Sequence, residues 1–233
     1  LQGYFDMLRV PYSCCGVLPA AITFNKFTCN QYLKGFGIRV AESLMIRKGH
    51  EVLNQEIIGK VGLPCFIKPN LGGSSFGVTK VKEESQIQPA LEKAFSEADE
   101  VIVEAFMDGI EITCGCYKTK SKEVVFPITE VVTKNEFFDY DAKYNGQVEE
   151  ITPARLPEEL TERVQLLTSA IYDILGCSGI IRIDYIITES QKINLLEINT
   201  TPGMTPTSFI PQQIRAAGLD IKDVMTDIIE DKL

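Results

Sequence analysis

Asp184, Glu197 and Asn199 are oxygen-bearing side chains carried by two apolar runs, Ile180–Thr188 and Ile193–Asn199, that read as one β-hairpin. The only polar break between the runs centres a turn between Ser190 and Gln191, which sets Asp184 across from Glu197 and Arg182 across from Asn199. The two-residue period of a strand puts all four on one face. Opposed carboxylates repel unless a cation lies between them. With an amide oxygen added, the group suits Mg²⁺, a hard ion that takes one or two carboxylates together with substrate phosphates. The plainer reading is a solvated strand face with a carboxylate–arginine pair. Against it, Ile181, Ile183, Tyr185 and Ile187 give the opposite face the character of a core, which leaves this one to a ligand.

Three further segments carry potential chemistry. KPNLGGSSFG (68–77) is a Gly/Ser loop between strands whose backbone N–H groups suit phosphate oxygens. It is not a Walker A loop, because Val78 stands where the lysine is required. Lys68 instead ends an apolar strand, which aims its charge at a pocket; the loop alone reads more readily as a plain turn. Glu104 and Glu111 flank the turn Met107-Asp108-Gly109, where a hinge presents backbone groups to a base and a carboxylate to ribose hydroxyls; by spacing alone they read as surface glutamates. In NTTPGMTPTS (199–208), Pro202, Gly203 and Pro206 exclude regular structure. The N–H groups of this loop and the Ser208 hydroxyl suit a carboxylate or oxyanion beside the acidic hairpin.

The elements that must hold these groups are those of an ordinary globular chain. The 233 residues are 45% hydrophobic and 24% charged, with a net charge of −9, which argues against a nucleic-acid backbone as partner. No apolar run approaches the roughly 18 residues of a membrane span, and LQGYFDMLRV shows no signal-peptide pattern. Seven scattered cysteines without a CxxC pair read as buried thiols of a reducing cytoplasm, not a zinc site. The single histidine, His50, lies among charges and reads as exposed, which disfavours a histidine-based triad or zinc enzyme.

Helical spacing predicts helices over 26–36, with Thr28 near its start, and over 84–96, 157–175, 211–217 and 220–231. Strands are expected at 38–40, 65–68, 77–81, 100–106, 110–117, 124–132, 180–188 and 193–199, with a long functional loop over 134–153. The absence of a βαβ series points to an α/β protein of mixed α+β sheets, not a Rossmann fold.

Taken in order, VPYSCCGVL, FIKPNLGGSSFGVTKV, EAFMDGIE, FDYDAKY, GIIRIDYI and LLEINTTPGMTPTSFIP resemble the ATP-grasp ligases, specifically the D-alanine–D-alanine ligase family, nearly end to end. The resemblance implies an ATP-grasp fold in which two α+β subdomains sandwich ATP. Residues 1–25 would be the remnant of an N-terminal substrate domain and linker, 26–106 the central subdomain, and 107–233 the C-terminal subdomain with the metal site and mobile loop 134–153. Lys26, Lys68 and Lys143 would grip the ATP phosphates, Glu104 would lie at the adenine hinge, and Glu111 would take the ribose hydroxyls. Asp184, Glu197 and Asn199 would ligate two Mg²⁺ ions, with Mn²⁺ as a substitute.

By the same resemblance, Arg182 and the Gly203 N–H would meet the tetrahedral oxyanion, and Ser208 with the Phe209 backbone would hold the second substrate's carboxylate. Ser74 and Tyr144 would belong to a hydrogen-bonded triad that closes the loop. Its third member, and a carboxylate for the first D-alanine's ammonium, would come from a domain ahead of residue 1. Gly72 departs from the acidic residue many relatives carry there. Tyr144 favours D-alanine as second substrate. The implied protein is a cytoplasmic homodimer of peptidoglycan synthesis using ATP and D-alanine. Its alternatives are a ligase of D-alanine with D-lactate or D-serine, or a nucleotide-binding fragment without turnover.

Overall fold

Alternating burial along the strands organises the chain around antiparallel sheets. The computed structural model describes residues 1–73, 76–133 and 148–233. They form two compact units, one built on Phe24–Gly109, the other on Leu1–Thr23, Ile110–Val132 and Glu150–Leu233. The chain opens on helices α1 (Gln2–Leu8), α2 (Val17–Phe24) and α3 (Lys26–Lys34). There follow β1 (Ser43–Arg47), α4 (Asn54–Val61), β2 (Cys65–Pro69), β3 (Thr79–Val81), a 3₁₀ turn at Glu84–Gln86, α5 (Ile87–Phe95) and β4 (Glu100–Ala105).

These strands make a sheet of order β1-β4-β2-β3. Ile46, Cys65, Ile67, Val81, Val101 and Val103 point to one face and pack on Ile57 and Val61 of α4 and on Ile87, Ala90, Leu91 and Ala94 of α5. The period of two therefore sends Phe66, Lys68 and Glu104 to the other face, with Phe66 directly opposite Glu104. Burying one face in this way fixes where the lysine and the carboxylate emerge.

Asn25 caps α3, its side-chain oxygen accepting from the N–H of Thr28 in the first turn at 2.9 Å. One detail differs from expectation here. The strand expected at 38–40 lies instead at β1, where Ser43–Arg47 find partners in Glu104–Glu100. The segment before it is still leaving the turn at Gly35–Gly37 that closes α3, with Gly37 at φ 79°. Helix α4 had no clear signal, since a helix of eight residues offers little periodicity.

From Ile110 onward the chain forms β5 (Ile110–Lys118), β6 (Glu123–Val125), β7 (Thr129–Thr133), β8 (Val148–Ile151), α6 (Glu158–Leu175), β9 (Ile181–Ile187), β10 (Ile193–Asn199), α7 (Phe209–Ala216) and α8 (Ile221–Glu230). The sheet order is β10-β9-β5-β7-β8, with β6 beside β5. The expected single strand 124–132 is split into β6 and β7 because Pro127, within Phe126-Pro127-Ile128, has no N–H to give to the ladder. Within the expected loop 134–153, residues 148–151 form β8, while 134–147 lie outside the described residues.

Helix α6 buries Leu160, Val164, Ile171 and Leu175 and ends at Gly176 in the left-handed conformation. The Thr168 hydroxyl on α6 meets the Tyr185 hydroxyl on β9 at 2.9 Å, and Ile181, Ile183 and Tyr185 are fully buried. This is the core face expected from the sequence. All seven cysteines are free thiols and five of them are buried. Burial alone pushes Cys29 up to about 12 and, as the largest effect, does the same to Cys114 and Cys116. His50 is exposed.

The hairpin reaches the expected register by another route. Ile193 pairs with Ile187 and Leu195 with Tyr185, so the turn is centred on Ser190. Gln191 takes a left-handed φ of 56°. A bulge at Leu196 then inserts one residue, after which Glu197 faces Asp184 and Asn199 faces Arg182. The bulge re-aims the end of β10, which is where the acidic face begins.

Candidate active site

Each unit carries one cluster of the residues singled out from the sequence. In the first, Lys68 and Glu104 form an ion pair with side chains only 12% and 7% exposed. The second carboxylate oxygen of Glu104 accepts from the Asn30 amide of α3 at 2.8 Å. A buried charge persists only when paired and hydrogen-bonded, and this carboxylate is both.

Asn70, fully buried, ties the end of β2 to the start of α3. Its side-chain oxygen accepts from the Phe27 N–H at 2.9 Å, and its amide donates to Asn25 Oδ1 at 3.1 Å and Glu100 Oε2 at 3.0 Å. Lys26, at the first turn of α3, donates from Nζ to the Gly72 carbonyl at 2.7 Å. The joint thus brings the Lys26 ammonium to the glycine loop, just beyond the strand that carries Lys68, an arrangement that suits a polyphosphate. Near the far end of β2, the Phe66 and Phe106 rings lie 6.0 Å apart, with the Lys80 ammonium 3.9 Å from the Phe106 ring centre. Phe106 and Lys80 border a cavity of about 540 Å³ lined also by Leu63, Pro64, Lys82 and Asp108.

The second cluster lies on the face of β9 and β10 opposite α6. Arg182 forks onto Asp184, with Nε to Oδ1 at 2.9 Å and a terminal nitrogen to Oδ2 at 2.8 Å, and lies 3.9 Å from Glu197. Burial lowers the affinity of Arg182 for its proton, but Asp184, Glu197 and Glu111 outweigh it and the pKa is raised. The guanidinium is fixed as a cation. The Asn199 amide reaches Asp184 at 3.3 Å and Glu197 at 3.4 Å.

The donor types suit a hard divalent ion, although in this conformation Arg182 takes both Asp184 oxygens and, among the described residues, no three acidic, histidine or cysteine side chains gather closely enough to hold one. Three carboxylates, those of Asp184, Glu197 and Glu111, share the field of one guanidinium, leaving negative charge in excess. A half-turn of the Asn199 amide presents oxygen in place of nitrogen. Of the plainer reading, the carboxylate–arginine pair is present but the solvation is not, since Arg182 and Asp184 are 17% and 10% exposed at the side chain.

Beyond β10 the loop leads to α7. Ser208 is its N-cap residue, with Oγ 2.7 Å from Thr205 Oγ1. Gly203 lies against it: a Cβ there would be 2.8 Å from Ser208 Oγ. The Phe209 ring centre lies 5.2 Å from the Arg182 guanidinium carbon. Arg182, Asp184, Glu197, Asn199, Ser208 and Phe209 therefore belong to one surface, with Gly203 at its loop. Ser74, Lys143 and Tyr144 lie outside the described residues.

Sequence reasoning missed Asn30 and Asn70, which position the first cluster. Asn30 had a faint signal, as a polar residue four after Lys26 on one helix face. Asn70 had none, because its partners are distant in the chain.

Two α+β units around antiparallel sheets, one offering buried lysine and the other an acidic hairpin, define the ATP-grasp class of fold. The family described as D-ala D-ala ligase C-terminus matches residues 32–230, and the chain belongs to that family. It is 78% identical over 232 residues to the D-alanine–D-alanine ligase of Bacteroides fragilis and 79% identical over 232 residues to that of Phocaeicola vulgatus, covering 100% of this chain and 72% of each relative. Among solved structures it is similar to the VanG D-Ala:D-Ser ligase from Enterococcus faecalis, with TM-score 0.89 and 33% identity over 100% of this chain and 68% of that one. It is also similar to a Bacillus anthracis D-alanine–D-alanine ligase complexed with ATP, with TM-score 0.84 and 30% identity over 99% of this chain and 73% of that one.

Proposed function

We propose that this chain performs the ATP-dependent joining of two D-alanine molecules into D-alanyl-D-alanine for peptidoglycan synthesis. The observation that carries the reading is Asp184 opposite Glu197, with Asn199 and Arg182 on the same face and the start of α7 beside them. In the first step a D-alanine carboxylate attacks the γ-phosphate of ATP, giving an acyl phosphate and ADP. The amine of a second D-alanine then attacks the acyl carbon, loses a proton and expels phosphate.

Most of the work asked of the protein is electrostatic. Lys26, Lys68 and Lys143 offset phosphate charge. Glu104 and Glu111 serve the base and ribose ends of the nucleotide. Arg182, held cationic by its carboxylates, meets the developing oxyanion together with the Gly203 N–H. Ser208 and the Phe209 N–H, at the start of α7, receive the second substrate's carboxylate, where a helix N-terminus favours an anion. Asp184, Glu197 and Asn199 would hold Mg²⁺, or Mn²⁺ in its place, and the ions would neutralise polyphosphate charge. Ser74 and Tyr144 are assigned to closure over the site, which keeps water from the acyl phosphate. Residues 26–106 and 107–233 act as the two ATP-grasp subdomains, with 1–25 as the link to a substrate domain.

Among the described residues no helix is long and apolar enough to cross a membrane. Seven free thiols support a cytoplasmic setting, and the reading includes a homodimer.

A D-serine acceptor is the second reading, favoured by the likeness to the D-Ala:D-Ser ligase. Supplying D-alanine, D-serine or D-lactate as acceptor and identifying the products separates the two. D-alanyl-D-alanine is expected to dominate at equal concentrations. A dominant D-serine or ester product would overturn the assignment, and nucleotide binding without any product would reduce the chain to a binding module.

A further inference from the structure

The break between β6 and β7 leaves a gap along β5. β7 pairs with Glu111–Thr113 and β6 with Cys116–Lys118, so the ladder skips the residues between. Phe126 still donates from its N–H to the Gly115 carbonyl at 2.9 Å. The Gly115 N–H and the Thr113 carbonyl are met by a side chain from α7. Gln213 Oε1 accepts from Gly115 at 2.9 Å, and Nε2 donates to the Thr113 carbonyl at 3.0 Å and to Thr129 Oγ1 at 3.1 Å.

A primary amide offers one acceptor and two donors, and Gln213 uses all three while fully buried. It stands in for the strand residue that the Pro127 interruption removes. The approach is close enough to exclude a side chain on β5: a Cβ at Gly115 would lie 2.4 Å from Ile210 Cδ1, 2.7 Å from Gln213 Oε1 and 2.8 Å from Phe126 Cδ2. One helical turn before Gln213 are Ser208 and Phe209, with Phe209 against Arg182, the residue opposite Gly115 on β9.

We propose that Gln213 is a positioning residue for the second-substrate subsite: by completing the interrupted edge of β5 it fixes the start of α7, and with it Ser208 and Phe209, relative to Arg182. This rests on the function proposed above but adds a residue outside the reacting set. Its three bonds are with uncharged groups, so it acts through geometry. An apolar replacement leaves the Gly115 N–H and the Thr113 carbonyl buried and unsatisfied, which α7 relieves by shifting.

The test is steady-state kinetics of the full chain, with separate KM values for ATP and for the first and second D-alanine. Gln213→Leu is expected to raise the second D-alanine KM about tenfold or more, with the other two KM values within roughly twofold. Gln213→Glu adds a signature that simple loss of packing lacks. Its neutral carboxyl retains one donor and one acceptor for the same backbone pair, whereas its ionised form has acceptors only and faces the Thr113 carbonyl. Burial favours the neutral form, so activity relative to the native chain should be preserved at low pH and fall as pH rises.

Should Gln213→Leu fail to fold, Gln213→Glu and Thr129→Val, which removes one of the three bonds along with the Thr129–Thr152 hydroxyl contact, carry the test, the latter with a smaller selective rise. Three KM values that move together or not at all, or a Gln213→Glu profile parallel to the native one, would overturn the proposal. If the native chain forms no dipeptide, the functional reading itself fails; native dipeptide formation with an unshifted second KM sinks this inference alone.

Discussion

Glu197→Gln is expected to abolish ADP formation, by at least about 10²–10³-fold on the scale of losing one preorganised electrostatic group, while the fold persists. The two expectations have separate grounds. Glu197 lies 3.9 Å from Arg182 and 3.4 Å from Asn199, and an isosteric amide keeps its shape there, so it disturbs little packing. It also removes one of two carboxylates directly opposed across β9 and β10, which relieves repulsion in the metal-free protein. The same change takes away a charged oxygen donor, and a hard cation binds a neutral amide less well. A coupled ADP assay beside a thermal melt reads both effects. Normal turnover would remove Glu197 from the chemistry, and an unfolded variant would show that the resting contacts had been underrated.

Arg182→Met should be the most disruptive single change at the site. Its guanidinium binds Asp184 through two bonds, and both side chains are largely buried. Breaking a buried pair from one side strands the other charge, at about 3–5 kcal/mol, and methionine fills the space without replacing the cation. Activity should fall as well, because the oxyanion then keeps only the neutral Gly203 N–H and loses its one cationic donor. One feature distinguishes this loss from general damage. The orphaned carboxylates should bind Mg²⁺ in compensation, so millimolar Mg²⁺ should raise the variant's melting temperature more than that of the native chain. A melting temperature equal to the native one without Mg²⁺ would contradict the assigned role of the pair.

The hairpin was legible because its information is local. Alternating isoleucines mark the core face, and the polar break at Glu189–Gln191 marks the turn. Its register came out right through two compensating departures, a turn centred half a residue early and the extra residue Leu196. Bulges leave no clear trace in composition, so only the structure could reveal the second. The division at Pro127 was readable in principle, because proline cannot donate to a ladder.

Partners distant along the chain could not be read in this way. Nothing near Gln213 announces that it pairs with Gly115, 98 positions earlier, nor that Asn30 holds Glu104 across 74. Such contacts depend on which faces meet after packing, and a single buried amide has no periodicity. Lys68 is an intermediate case. Its place at the end of an apolar strand foretold a shielded charge, but its pairing with Glu104 required the β2–β4 register.

The central claim, that the acidic hairpin face holds divalent ions together with nucleotide, is tested most directly by Mn²⁺ binding followed by electron paramagnetic resonance with a non-hydrolysable ATP analogue. The native chain should take up Mn²⁺ in a nucleotide-dependent manner, and the double variant Glu197→Gln, Asn199→Leu should lose at least about tenfold in affinity, or roughly 1.4 kcal/mol. Equal Mn²⁺ uptake by the two proteins would place the ions elsewhere and contradict the account.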